Sequence, residues 1–150
     1  MFNSIAEENE FGSIEGYSVS HTDENYKIFL DDNLEDKVFL KNLIDYINLK
    51  GFENLSVIKN INVEEEFRGQ GIGQDLLSGA IDCADIVLLV SDKYEYQLKG
   101  FVLDKFYESS DFKKISETSA GSLMCYPSSV AIDIKKYMIG NLKKNVIKIK

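Results

Sequence analysis

The chain has 150 residues, enough for one domain with a sizeable core, and its 44% apolar and 28% charged content is ordinary for a soluble globular protein. No apolar run approaches the roughly 20 residues that span a bilayer, so no membrane association is expected. The net charge of −8 is uneven: Lys135 to Lys150 holds six lysines and no acid, so the preceding 134 residues carry −14, the net −8 less the tail's +6. An acidic body repels nucleic acid, which is therefore not an expected partner.

Residues 1–8 are acidic and lack the basic start and apolar centre of a signal peptide, so a cytoplasmic location is expected. Cys83 and Cys125 then read as reduced thiols. With one histidine and two scattered cysteines there is no zinc-site spacing, and no metal is expected.

In chain order, residues 12–20 and 25–31 read as two strands joined by the polar turn His21 to Asn25. Asn33, with Asp36 three residues on, is placed to cap a helix running to about Leu49. Leu40, Leu43, Ile44 and Ile47 recur at helical spacing in it, and Gly51 ends it. A strand follows over residues 54–64, in which Leu55, Val57, Ile61 and Val63 alternate onto one face with Lys59 the exception. The next helix buries Leu76, Leu77, Ala80 and Ile81. The unbroken apolar run Ile86 to Val90 predicts a strand covered on both faces. A helix over about residues 100–109, closing strands at 112–116 and 122–126, and a final helix over 130–141 complete one α/β domain, with a Lys-rich C-terminal helix or tail from about residue 129.

The run Arg68-Gly69-Gln70-Gly71-Ile72-Gly73 lies between a strand and a helix. Glycines there let a backbone approach a ligand, and the helix start presents free N–H groups and a positive dipole end, which suits a phosphate. A nucleoside-triphosphate P-loop would need Gly-Lys-Ser/Thr at the helix start, but Gln74 and Asp75 follow Gly73. A dinucleotide loop would need G-x-G-x-x-G, and the spacing here is one residue too short.

The stretch Val63 to Gly73, followed by Leu76-Leu77, resembles the pyrophosphate-binding motif of the GNAT superfamily of acyl-CoA-dependent N-acyltransferases. The segment Phe106-Tyr107-Glu108-Ser109-Ser110-Asp111-Phe112 is similar to that family's Phe-Tyr-Glu-x-x-Gly-Phe. Asp111 stands where the family has glycine, in a turn that needs φ > 0, which Asp tolerates better than most residues. The resemblance covers about residues 54–127. It implies a mixed α/β (α+β) fold: a mostly antiparallel sheet splayed between two parallel strands, with helices on both faces. Such families begin strand–helix–helix, whereas in this chain two strands are expected before a single long helix.

The resemblance further implies acetyl-CoA as co-substrate. Its pyrophosphate would lie on the amides of Gly69, Gln70, Gly71, Ile72 and Gly73, with Arg68 adding charge. The backbone of Ile61, Asn62 and Val63 would bond the pantetheine arm as an added strand and polarise the thioester. By spacing alone Tyr107 is a packing residue; the family motif assigns it proton donation to the departing thiolate. The expected activity is acetyl transfer to a primary amine, a small cationic molecule or a protein amine, by direct attack in a ternary complex. The alternatives are a non-catalytic CoA-binding module and a toxin-like enzyme acting on aminoacyl-tRNA. A homodimer is implied by the resemblance alone. The general base stays open: Glu53 points to the face of Leu55, Glu64 to Glu66 read as a solvated turn, and His21 reads as a surface turn residue.

Overall fold

The computed structural model describes residues 3–9, 12–63, 71–82, 84–92 and 103–149. The chain runs β1 (Asn3–Asn9), β2 (Gly12–Val19), α1 (Asn25–Asn33), α2 (Lys37–Lys50), β3 (Leu55–Val63), α3 (Ile72–Ile81), β4 (Ile86–Asp92), α4 (Leu103–Glu108), β5 (Lys113–Glu117), β6 (Gly121–Tyr126) and α5 (Ser128–Ile149). The strands form one six-stranded sheet in the order β1-β2-β3-β4-β6-β5. Among the described residues, β3 and β4 alone pair in parallel; the other four neighbouring pairs are antiparallel.

Alternation along the strands feeds two cores. Tyr17 and Val19 of β2, Leu55 and Val57 of β3, and Ile86 and Leu88 of β4 pack with Tyr26 and Leu30 of α1, Leu43 and Ile47 of α2, and Ala131 and Ile134 of α5. Ile14, Ile58, Ile61, Val87 and Leu89 face the other way, onto Leu76, Leu77 and Ala80 of α3 and Tyr107 of α4. The sheet thus carries helices on both faces, and β4 is buried on both, as its unbroken apolar run predicts.

Three expectations are corrected. Residues 25–31 form helix α1 rather than a strand: Tyr26 and Leu30, four apart, are fully buried, while Ile28, which a strand would put on their face, is 56% exposed. The cap of α2 is Asp36, whose carboxylate accepts the amides of Val38 and Phe39 at 3.1 Å each; Asn33 instead closes α1, donating to the Phe29 carbonyl at 2.8 Å. The N-terminal half is strand–strand–helix–helix, because residues 3–9 pair with β2 from Asn3↔Ser18 to Asn9↔Gly12. Gly51 ends α2 as expected, in the left-handed region at φ 64°. The closing helix exceeds its expected span at both ends, reaching Ile149.

The alternation read along β3 is also broken. Glu15 pairs with Asn60 and Gly16 with Ile58, so Lys59 is an extra residue, a β-bulge. Leu55 and Val57 therefore face the α1/α2/α5 core, while Ile61 enters the α3/α4 core. Glycine at 16 is required there by space: a Cβ would lie 2.0 Å from the Val57 carbonyl oxygen.

Candidate functional site

The bulge stands where the two parallel strands part. Pairing of β3 with β4 runs from Leu55↔Ile86 to Ile58↔Leu89 and stops. Both strands continue. β3 stays bonded to β2 as far as Val63↔Gly12, and β4 to β6 as far as Asp92↔Gly121. Bulges bend a strand and increase its twist, and this one lies at the residue where β3 leaves β4. The edges of β3 beyond Ile58 and of β4 beyond Leu89 consequently face each other without ladder partners among the described residues. Ile61, Asn62 and Val63, whose backbone the family resemblance implies would bond a pantetheine arm, all lie on this freed edge.

Helix α3 starts near the same end of β3. Its cap is Gly71, in the left-handed region at φ 79°, exposed, with nothing within 4 Å of the place a Cβ would take. Only glycine adopts that conformation without cost. The Gly71 carbonyl accepts the Asp75 amide at 3.0 Å, the first bond of the helix. The amides of Ile72, Gly73 and Gln74 in the first turn have no intrahelical acceptor and sit at the positive end of the dipole. Asp75, also in the first turn, offsets part of that field. Arg68, Gly69 and Gln70 lie outside the described residues, as do Glu64 to Glu66.

The two sequence motifs meet. Gln74, in the first turn of α3, donates from Nε2 to Ser109 Oγ at 2.8 Å, and Ser109 Oγ donates to the Phe106 carbonyl at 2.6 Å. One side chain thus ties the glycine-capped helix to the Phe106-Tyr107 turn, 35 residues away in sequence. Tyr107 is 4% exposed and shares its core with Ile58, Ile61, Leu76 and Leu77, and its ring packs edge-on against Phe106 and Phe112, centroids 5.1 and 5.8 Å away. The turn after it is closed by amides of Ser110 and Phe112 on the Tyr107 carbonyl, and Asp111 there has φ 68° as expected. Its carboxylate accepts the Ser128 hydroxyl at 2.6 Å, fixing the start of α5 to the turn.

Other candidates are placed elsewhere. His21 lies in the turn after β2, half-buried, its Nδ1 and backbone amide both 3.0–3.1 Å from the Phe52 carbonyl oxygen. Glu53 is exposed just before β3 begins, its amide held by Asp85 Oδ2 at 3.2 Å. Both are at the N-terminal end of β3, and at about 3.3 Å per residue its far end is roughly 27 Å away. Neither is near the parted edges. Cys125 is fully buried in the α1/α2/α5 core, where desolvation pushes its thiol far above the ordinary range. Among the described residues no group of His, Cys, Asp or Glu is arranged to hold a metal ion, and no helix is long and apolar enough to cross a membrane.

The role of Gly16 and the bulge at Lys59 is not foreseen from the sequence, although a glycine within a strand pattern is a signal for a bulge or a close backbone approach.

Neither a protein-family model nor a curated protein sequence matches the chain. A solved structure, that of PH1933 from Pyrococcus horikoshii OT3, is similar to part of it: 24% identity and a TM-score of 0.41, over 52% of this chain and 48% of that one.

Proposed function

We propose that this protein transfers an acetyl group from acetyl-CoA to a primary amine, by direct attack in a ternary complex. The observation that carries the reading is the opening between β3 and β4 after Ile58 and Leu89, with the glycine-capped start of α3 near the same end of β3. An extended chain bearing amides at one end and a pyrophosphate at the other suits those two features: the freed strand edge bonds the amides, and the helix start takes the phosphates. Acetyl-CoA has that composition.

In this reading the amine nitrogen attacks the thioester carbonyl carbon, and the charge growing on the carbonyl oxygen is met by a backbone amide of the freed β3 edge. The C–S bond breaks as the C–N bond completes, and the CoA thiolate takes a proton from the Tyr107 hydroxyl, which solvent then restores. The proton lost by the amine leaves to water or a carboxylate. Holding the two reactants together supplies much of the acceleration.

Calorimetric titration with acetyl-CoA tests the donor. Gly71→Asp places a carboxylate at the phosphate position and is expected to abolish binding. Tyr107→Phe is expected to leave binding within about twofold and to lower turnover by roughly 10²-fold, the usual scale for a lost general acid. Absence of acetyl-CoA binding by the wild-type chain sinks the reading. Full activity in Tyr107→Phe removes only the role given to that hydroxyl.

A further inference from the structure

The parting of β3 from β4 divides the sheet into two halves, and the helices divide with it. Among the described residues α3 packs chiefly on β1, β2 and β3, whereas α4 packs on β4 and β5. The freed β3 edge and the glycine-capped start of α3 therefore belong to one half, and Tyr107 of α4 to the other. Both helices rest on a shared apolar core, but apolar burial is not directional. The hydrogen bond from Gln74 to Ser109 joins the two halves with a defined length and direction.

Gln74 is the third residue of α3, and its main-chain amide is one of those in the first turn without an intrahelical acceptor. A glutamine at this position commonly folds back onto the amide of the capping residue. Here its side chain goes to Ser109 instead, at 2.8 Å. The direction of the chain is fixed. The Ser109 hydroxyl gives its one proton to the Phe106 carbonyl at 2.6 Å, so its oxygen accepts from Gln74 Nε2. The Phe106 carbonyl and the Tyr107 nitrogen share one planar peptide unit, so the chain ends on the plane that carries Tyr107. In a regular α-helix the Ser110 amide would bond the Phe106 carbonyl, but it bonds the Tyr107 carbonyl at 2.9 Å, and the Ser109 hydroxyl takes its place. Gln74 and Ser109 are both exposed, so their bond competes with water and adds little to stability.

We infer that Gln74 is a positioning residue, a strut across the parted strands that couples a pyrophosphate at the start of α3 to the Tyr107 turn. A phosphate bonded to the main-chain amide of Gln74 orders the first turn of α3. Through Nε2 that order passes to Ser109 and on to the peptide between Phe106 and Tyr107. The inference rests on the proposed donor for the identity of the ligand. Its meaning for the reaction is that Tyr107 is held more tightly once the donor is in place.

Amide hydrogen exchange, read by NMR with and without acetyl-CoA, tests this on the wild-type chain, Gln74→Ala, Ser109→Ala and Ser109→Thr. The reporters are the amides of Ser110 and Phe112, both bonded to the Tyr107 carbonyl. In the wild type acetyl-CoA is expected to slow their exchange about tenfold. Gln74→Ala and Ser109→Ala are expected to lose that slowing while melting temperature and acetyl-CoA affinity stay close to wild type. Ser109→Thr, which keeps the hydroxyl, is expected to retain it. Slowing of wild-type size in Gln74→Ala overturns the inference, because a merely structural bond leaves the ligand's effect intact. Absence of slowing in a wild-type chain that binds acetyl-CoA overturns it as well. A wild-type chain that does not bind acetyl-CoA removes the donor reading, and inorganic pyrophosphate then serves as the probe: slowing that depends on Gln74 upholds the strut, and its absence overturns it.

Discussion

Gly16→Ala isolates the contact on which the bulged strand pair depends. The added methyl would sit 2.0 Å from the Val57 carbonyl oxygen and 3.0 Å from Val57 C and Ile58 Cα, all backbone atoms that no rotamer change can move. Carbon atoms do not approach an oxygen closer than about 3 Å, so β2 and β3 must part by about 1 Å at this point. Overpacking of this kind costs about 1–3 kcal/mol, and weakening a neighbouring ladder bond adds about 1 kcal/mol, giving a loss of about 2–4 kcal/mol. For a chain of this size that lowers Tm by roughly 5–15 °C. Urea and thermal unfolding of the two proteins, followed by circular dichroism, provide the measurement. The sign is itself informative, because glycine-to-alanine changes at unhindered sites stabilise by about 0.4–1 kcal/mol through the unfolded chain. A variant within about 0.5 kcal/mol of wild type, or more stable than it, refutes the close approach of β2 to β3 and with it the bulge at Lys59.

Two further outcomes follow from the same structure. Asp111→Ala places alanine at φ 68° and deletes the acceptor of the Ser128 hydroxyl, so a loss of about 1–2 kcal/mol is expected in denaturant melts, while Asp111→Asn, which tolerates the left-handed region and keeps an acceptor, stays near wild type. Tyr17 and Tyr26 have phenols raised from 10.0 to about 12, chiefly by burial, so the stabilisation tied to their neutral forms is complete below pH 10 and is lost as pH rises toward 12. Absorbance titration near 295 nm should show them ionising after the exposed tyrosines and together with unfolding; a single ionisation step near pH 10 with the fold intact contradicts this.

Local chemistry wrote the C-terminal part of the fold plainly. The run Ile86 to Val90 has no polar face, so only a strand covered on both sides can hold it. Gly51 and Asp111 mark backbone conformations that few other residues accept, and both stand where those conformations occur. The N-terminal half was less legible for definable reasons. Tyr26, Ile28, Phe29 and Leu30 satisfy a strand pattern as well as a helical one, and the choice is made by α1 packing against α2 and the sheet. Strand β1 is acidic and owes its existence to pairing with β2. Of the candidate site, the glycine cap and the turn around Tyr107 could be located from their residues. The Gln74–Ser109 bond and the parting of β3 from β4 depend on how distant segments are set side by side.

Lys59 separates the shape of the sheet from its pattern. Because it is surplus to the ladder, Ile58 and Asn60 already keep register with the adjacent residues Gly16 and Glu15. Removing Lys59 would therefore leave every later residue of β3 on its present face and change no pairing with β2. What would go is the bend. A straightened β3 could continue alongside β4 past Ile58 and Leu89, zipping shut the gap in the sheet. This fold thus lies one residue from a more regular version of itself, in which β3 and β4 would run paired over a longer stretch.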